Sequence, residues 1–325
     1  MNPTRAKALI QQWTAQQKIP PQQLNHAFEL ADISPSVTRW GHFLDKLLLA
    51  NGGSLVLIGV VFFFAFNWQA IGRFHKFALI EALVLASMAA YSRYLFKPSA
   101  KFFLLAASVF VGVLLAFYGQ TYQTGADTWQ LFAMWALLIS PWVIIAQFAA
   151  LWLLWLILVN LSLFFYYQVF HGLFGVLFSG QAMQLALFVV NTVALFVWEL
   201  AAQRYDWLKG RSEVRLLAIA SGLSVTWLML DFIFDDNYRR VYIPVSYGLW
   251  LAVFYGVYRY KVADLFMLAG ASLSLIILST ALFADWLSLA KDGAGLLLIA
   301  LWVIVSSGMA IRWLRKLAQE QLTHD

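Results

Sequence analysis

The chain has 325 residues, 62% of them hydrophobic, 17% aromatic and only 12% charged, with no cysteine, a net charge of +6 and a mean hydropathy of +0.74. Soluble domains carry about 25% charged and about 45–50% apolar residues, so this composition excludes a soluble globular enzyme, a disordered regulator and a disulfide-stapled secreted domain. The missing cysteine also removes thiol catalysis, iron–sulfur clusters and cysteine-ligated zinc.

Residues 1–46 hold no signal-peptide core, because Arg5, Lys7, Lys18, Glu29, Asp32, Arg39 and Asp45 interrupt them. The first span is therefore expected to act as an uncleaved anchor. Asn2-Pro3 offers an N-cap and a proline at the first helical position, and Leu9, Ile10 and Trp13 then form an apolar stripe. Pro20-Pro21 ends that helix and starts a second, where Leu24, Phe28 and Ala31 recur at helical spacing. A third, amphipathic piece (Val37, Trp40, Phe43, Leu44) is expected to run straight into the first span. Short helices need a surface to pack on, so this segment reads as a cytoplasmic hairpin capping the membrane, or as a docking module for a cytosolic partner.

A membrane helix needs about 20 mostly apolar residues to cross roughly 30 Å of hydrocarbon. Ten such spans follow: 47–66, 77–96, 102–119, 129–146, 149–167, 181–200, 214–234, 241–258, 265–284 and 294–314. Residues 317–325 form a short tail. Thr128–Trp198 is a run of 71 residues without Asp, Glu, Lys or Arg, enough for three spans and their turns. Gln168–Gln181, with His171, Gly172, Gly175 and Gly180, reads as a loop or a shallow re-entrant segment. The fold class is thus an all-α polytopic membrane bundle.

With the N-terminus inside and ten spans, 17 of the 22 Lys and Arg residues fall on the cytoplasmic side. Only Arg73, Lys76, Arg239, Arg240 and Lys291 lie outside. That asymmetry fits both termini in the cytoplasm of a bacterial inner membrane, and it explains the positive charge without a nucleic-acid partner. The lipid bilayer itself is the first partner. Trp40, Trp68, Trp129, Trp207, Trp286 and Trp313 fall near the proposed helix ends, as interfacial anchors do.

Polar groups at membrane depth are costly and point to function. They cluster at the outer ends of the first four spans: Asn67 and Trp68, then Arg73, His75, Lys76 and Glu81, then Gln120, Tyr122, Gln123, Asp127 and Trp129. Gly119 and Gly125 lie in the same stretch and let backbone approach a ligand. Together they could form a small pocket for a polar or anionic ligand. The same residues would equally serve as helix caps and loop ties, with Asp127 pairing to Arg73 or Lys76. A second cluster, Asp231, Asp235, Asp236 and Asn237 beside Arg239 and Arg240, reads as a self-neutralised loop rather than a cation site. Glu199 is expected to form a surface pair with Arg204.

Asn160 and Asn191 lie near mid-depth of antiparallel spans and should meet and hydrogen-bond. Ala82, Ala86 and Ala90 line one face of span two, and Ser108, Gly112 and Ala116 one face of span three, and such faces allow close backbone approach, so these two helices should pack tightly. The five histidines are scattered, and no zinc-protease, phosphate-loop, dinucleotide or nucleophile-elbow motif occurs. No catalytic residue, metal site or cofactor is expected.

The run from Asn67-Trp68 through Arg73 and Lys76 to Gly119-Gln120 and Tyr122-Gln123-Thr124-Gly125-Ala126-Asp127, closed by Trp129, resembles the bacterial membrane family catalogued as domain of unknown function 2157. The N-terminal hairpin is similar too. The resemblance covers residues 1–150 and implies a polytopic inner-membrane protein with no assigned activity. It also implies a second membrane-anchored protein, bearing a Gly-Asp-Tyr motif, as partner at the periplasmic face. Three functions are then open. The first is a non-enzymatic component of a membrane complex, engaging a partner through its periplasmic loops. The second is a permease for a small polar or anionic solute, and the third an enzyme acting on a lipid-linked substrate.

Overall fold

The computed structural model describes residues 3–31, 37–67, 72–97, 99–170, 179–235, 240–287 and 293–324. Every regular element among them is helical, and the chain divides into two compact units, residues 1–72 with 318–325, and residues 73–317.

In the first unit α1 (Pro3–Ala15) packs on α2 (Leu24–Leu30), burying Ala6 and Ile10, which is the expected hairpin. The end of α1 is a Schellman motif. Gln17 takes φ 57°, and Lys18 and Gln17 donate to the carbonyls of Trp13 and Thr14 at 2.9 and 3.0 Å. Helix α3 (Val37–Asn67) is continuous, so the amphipathic piece and the first span form one rod. Its 31 residues reach about 46 Å at 1.5 Å per residue, longer than the hydrocarbon needs.

The second unit contains α4 (Arg73–Arg93), α5 (Ala100–Tyr122), α6 (Thr128–Ala146), α7 (Ala149–Val169), α8 (Gly180–Ala202), α9 (Arg211–Phe234), α10 (Tyr242–Gly256), α11 (Leu265–Leu287) and most of α12 (Gly293–His324). Two residues, Gln147 and Phe148, reverse the chain between α6 and α7, with Gln147 in the left-handed region at φ 47°. Lys101 at the start of α5 donates to the Gln147 carbonyl at 2.9 Å, which places that end of α5 beside this turn. One core joins α5, α6 and α7 through Leu104, Ile139 and Leu151. A larger one surrounds α9, which packs against α8, α10 and α11 through Val214, Leu217, Val225, Trp250 and Met267.

Nine helices among the described residues are long and apolar enough to cross a membrane. The ten expected spans include one more, at α10. That helix is only 15 residues long and continues as a π-helical turn, Val257–Lys261, closed by the Val262 N–H on the Val257 carbonyl at 2.9 Å. The expected loop or re-entrant stretch falls largely on residues 171–178, outside the described residues.

Both packing expectations are met, the second through other side chains than those that suggested it. Asn160 and Asn191 form a reciprocal pair between α7 and α8, at 3.2 and 2.6 Å, and each also donates to the carbonyl one turn back. Helices α4 and α5 are close neighbours, but Ala82 and Ala86 are exposed, and the contact runs through aromatic pairs such as Phe77–Phe117 at 4.5 Å. Gly112 and Ser108 face α6 instead. The Trp135 indole lies flat where a Gly112 side chain would stand, and it donates to the Ser108 carbonyl at 2.7 Å. A large ring takes the room that the small face leaves.

Candidate functional site

The start of α4 and the α5–α6 connection meet at one end of the second unit. Phe77 makes tilted ring contacts with Phe117 and Tyr122, at 4.5 and 6.0 Å, and the Lys76 ammonium lies 5.9 Å from the Phe117 ring. Around this aromatic seam Arg73, Gln120, Tyr122, Gln123 and Asp127 are exposed, and Lys76 is half-buried. Gln123 caps α5 in the left-handed region, at φ 45°. Asp127 begins α6 in a capping box, its N–H donating to Gln130 Oε1 at 3.2 Å. Arg73 lies over Phe74 rather than on Asp127. Trp129 is half-buried against Tyr166, and its carbonyl accepts from Ser162 at 3.2 Å. Glu81, two turns into α4, is exposed. Asn67 ends α3 in the other unit, and Trp68 lies outside the described residues. Of the second cluster Asp231, Asp235 and Arg240 are described, and Asp236, Asn237 and Arg239 lie outside the described residues. No group able to hold a metal ion occurs among the described residues.

The most tightly organised charges lie elsewhere. Arg211, at the start of α9, donates from one side to both carboxylate oxygens of Glu199 on α8, at 2.9 and 3.1 Å. From the other side it donates to Oδ2 of Asp264, just before α11, at 3.1 and 2.9 Å. Arg215, one turn on, reaches Asp264 Oδ1 at 3.2 Å, and the Tyr258 hydroxyl donates to Glu199 Oε1 at 3.0 Å. The Glu199 and Asp264 side chains are only 17% and 4% exposed. Burial pushes the Asp264 carboxyl up, but hydrogen bonds and charge from Arg211 and Arg215 outweigh it and hold the group below the usual carboxylate range. Two carboxylates and two guanidiniums cancel. The cluster is a bolt that ties α8 and α9 to the π-helical turn after α10 and to the start of α11.

The expected Glu199–Arg204 pair is therefore replaced by Glu199–Arg211. Nothing in the sequence flagged Asp264. The available signal was Arg211 and Arg215, four residues apart on one helix face at a membrane edge, where a carboxylate partner is needed.

Deeper in the same bundle, hydroxyls link helices in two further steps. Thr192 of α8 and Trp250 of α10 both meet Ser221 of α9, at 2.7 and 3.1 Å. Thr226 of α9 and Tyr247 of α10 both meet Ser274 of α11, at 2.7 and 3.1 Å. In lipid such bonds leave no polar group to hydrocarbon. The cavities beside them have mainly apolar walls. One of about 560 Å³ between α7 and α8 is lined by Trp152, Trp155, Trp198 and Trp207, and another of about 420 Å³ runs between α8 and α10. Glu81 lines neither.

Residues 11–152 match a family described as "Predicted membrane protein (DUF2157)". The chain resembles that family from α1 to the start of α7. The match contains the whole α4–α6 polar end and stops short of the ionic bolt. No curated protein and no solved structure matches the chain. The chain is a membrane protein of many apolar helices, and the family's description carries no activity.

Proposed function

We propose that this chain is a multi-pass bacterial inner-membrane protein of ten spans, with both termini cytoplasmic. It acts as a non-catalytic component of a membrane complex. Its partner, a second membrane-anchored protein at the periplasmic face, engages the polar end formed by Arg73, Lys76, Gln120, Tyr122, Gln123, Asp127 and Trp129. One observation carries this reading: Arg73, Gln120, Tyr122, Gln123 and Asp127 stand exposed around an aromatic seam on which Lys76 lies half-buried, whereas the charges of the α8–α11 bolt satisfy one another. Exposed aromatic and arginine groups beside a capped turn are the material of a protein interface. The permease reading has less support, because Glu81 lines neither of the cavities beside the bolt and their walls are mostly apolar.

The test is blue-native electrophoresis of the tagged full chain from native membranes. A complex heavier than the chain and its own oligomers is expected. It should collapse to the chain alone when Gln120, Gln123 and Asp127 are replaced together by alanine, lysine and lysine. A wild-type chain that migrates alone, or a complex indifferent to the triple change, would overturn the proposal.

A further inference from the structure

Helices α8 and α10 run in the same sense on either side of α9, and a cleft remains between them. Its walls step down in register. Thr192 and Trp250 are bridged by Ser221 of α9, which closes the back of the cleft. Seven or eight residues further on, Tyr258 bonds Glu199 directly across it. The lining extends from Phe188 to Gln203 on α8 and from Ser246 to Lys261 on the α10 side. The sixteen residues from end to end of each wall give a groove about 22 Å long, parallel to the helix axes. Its rim is apolar and exposed: Phe196 and Leu200 on one side, Leu249 and Val253 on the other. In a membrane that rim faces lipid.

The two ends differ. The deep end is hydrocarbon apart from hydroxyls already bonded to helix backbone or to Ser221. The other end carries Gln203 and Lys261, both exposed, beside Glu199 and Tyr258. Glu199 is neutralised there by Arg211, so Lys261 supplies the charge that remains. The α7–α8 cavity has no such end: its tryptophan walls present almost no polar surface.

We propose that the α8–α10 groove is a binding site for an anionic glycerophospholipid, with one acyl chain lying along the groove and the phosphodiester held by Lys261 and Gln203. A volume of about 420 Å³ falls within the roughly 300–1,000 Å³ usual for ligand sites with apolar walls and few polar groups. The groove's length matches most of a hydrocarbon leaflet, and its opening to lipid admits an acyl chain sideways, as no water-soluble ligand could enter. A lysine stem lies along apolar surface while its ammonium reaches the headgroup layer. The site stands apart from the α4–α6 end and does not depend on the partner proposal.

Native mass spectrometry of the detergent-purified full chain, titrated with dioleoyl phosphatidylglycerol or dioleoyl phosphatidylcholine, tests it. The wild type should retain one phosphatidylglycerol about fivefold more tightly than phosphatidylcholine, the preference one lysine gives near a membrane surface. Lys261→Gln should erase that preference, lowering retention of phosphatidylglycerol more than that of phosphatidylcholine. Ser246→Phe, which fills the deep end, should lower retention of both lipids, and Leu249→Trp at the rim serves if the first variant does not elute as a single species. Equal retention of the two lipids by the wild type, or unchanged retention in a well-behaved filled variant, overturns the proposal.

Discussion

Arg211 holds two carboxylates apart and together. Its guanidinium has Glu199 on one edge and Asp264 on the other, and at 32% side-chain exposure it is the more solvated member of each pair. Removing one partner of a buried ion pair costs about 3–5 kcal/mol, because the other charge stays behind in a poor solvent. Partial exposure puts Arg211→Gln near the lower end, about 3 kcal/mol, measurable by denaturant unfolding in detergent. Arg211→Lys should recover only part of this, since an ammonium cannot fork to both acids. The pH dependence has a definite sign. Asp264 titrates lower when folded than when unfolded, so its stabilisation is complete above the unfolded value of about 3.9 and disappears as pH falls through the folded value. Stability from this group should be level above about pH 5 and decline below about pH 4, and Asp264→Asn should remove that acid-side decline. Little of this was legible in the sequence. Asp264 is one acid between two apolar runs, and only the folded chain brings α8, α9 and α11 together around it.

Helices were far more readable than their contacts. Apolar runs of span length and the proline pair at Pro20-Pro21 marked the elements, and the Asn160–Asn191 bond followed from depth alone, because antiparallel helices bring equal depths together. The α4–α5 face shows the limit. Three small residues at four-residue spacing say that something can come close, not what does. Trp135 of α6 takes that space over Gly112, pinned by its bond to the Ser108 carbonyl. A methyl at position 112 would overlap the indole, so Gly112→Ala should destabilise by about 1–3 kcal/mol. The double variant with Trp135→Phe should recover part of the loss, because the smaller ring can retreat. Ala86→Leu, on the exposed face of α4, should change stability little in detergent unfolding.

For the molecule as a whole, composition already named lipid as the solvent, and the sorted lysines and arginines carry the proposed orientation. The polar α4–α6 end was legible as a concentration of residue types at helix ends. The bolt was not, because its acids and bases are scattered between spans and look like ordinary loop charge. The central claim is that these two features lie on opposite faces of the membrane, the partner-engaging end outside and the bolt inside. The cysteine-free chain allows a direct test by single Gln123→Cys and Ser212→Cys variants, treated with a membrane-impermeant maleimide in osmotically opened cells. The account predicts that position 123 is labelled at once and position 212 only after the inner membrane is broken. Labelling of both positions from the same side would contradict it.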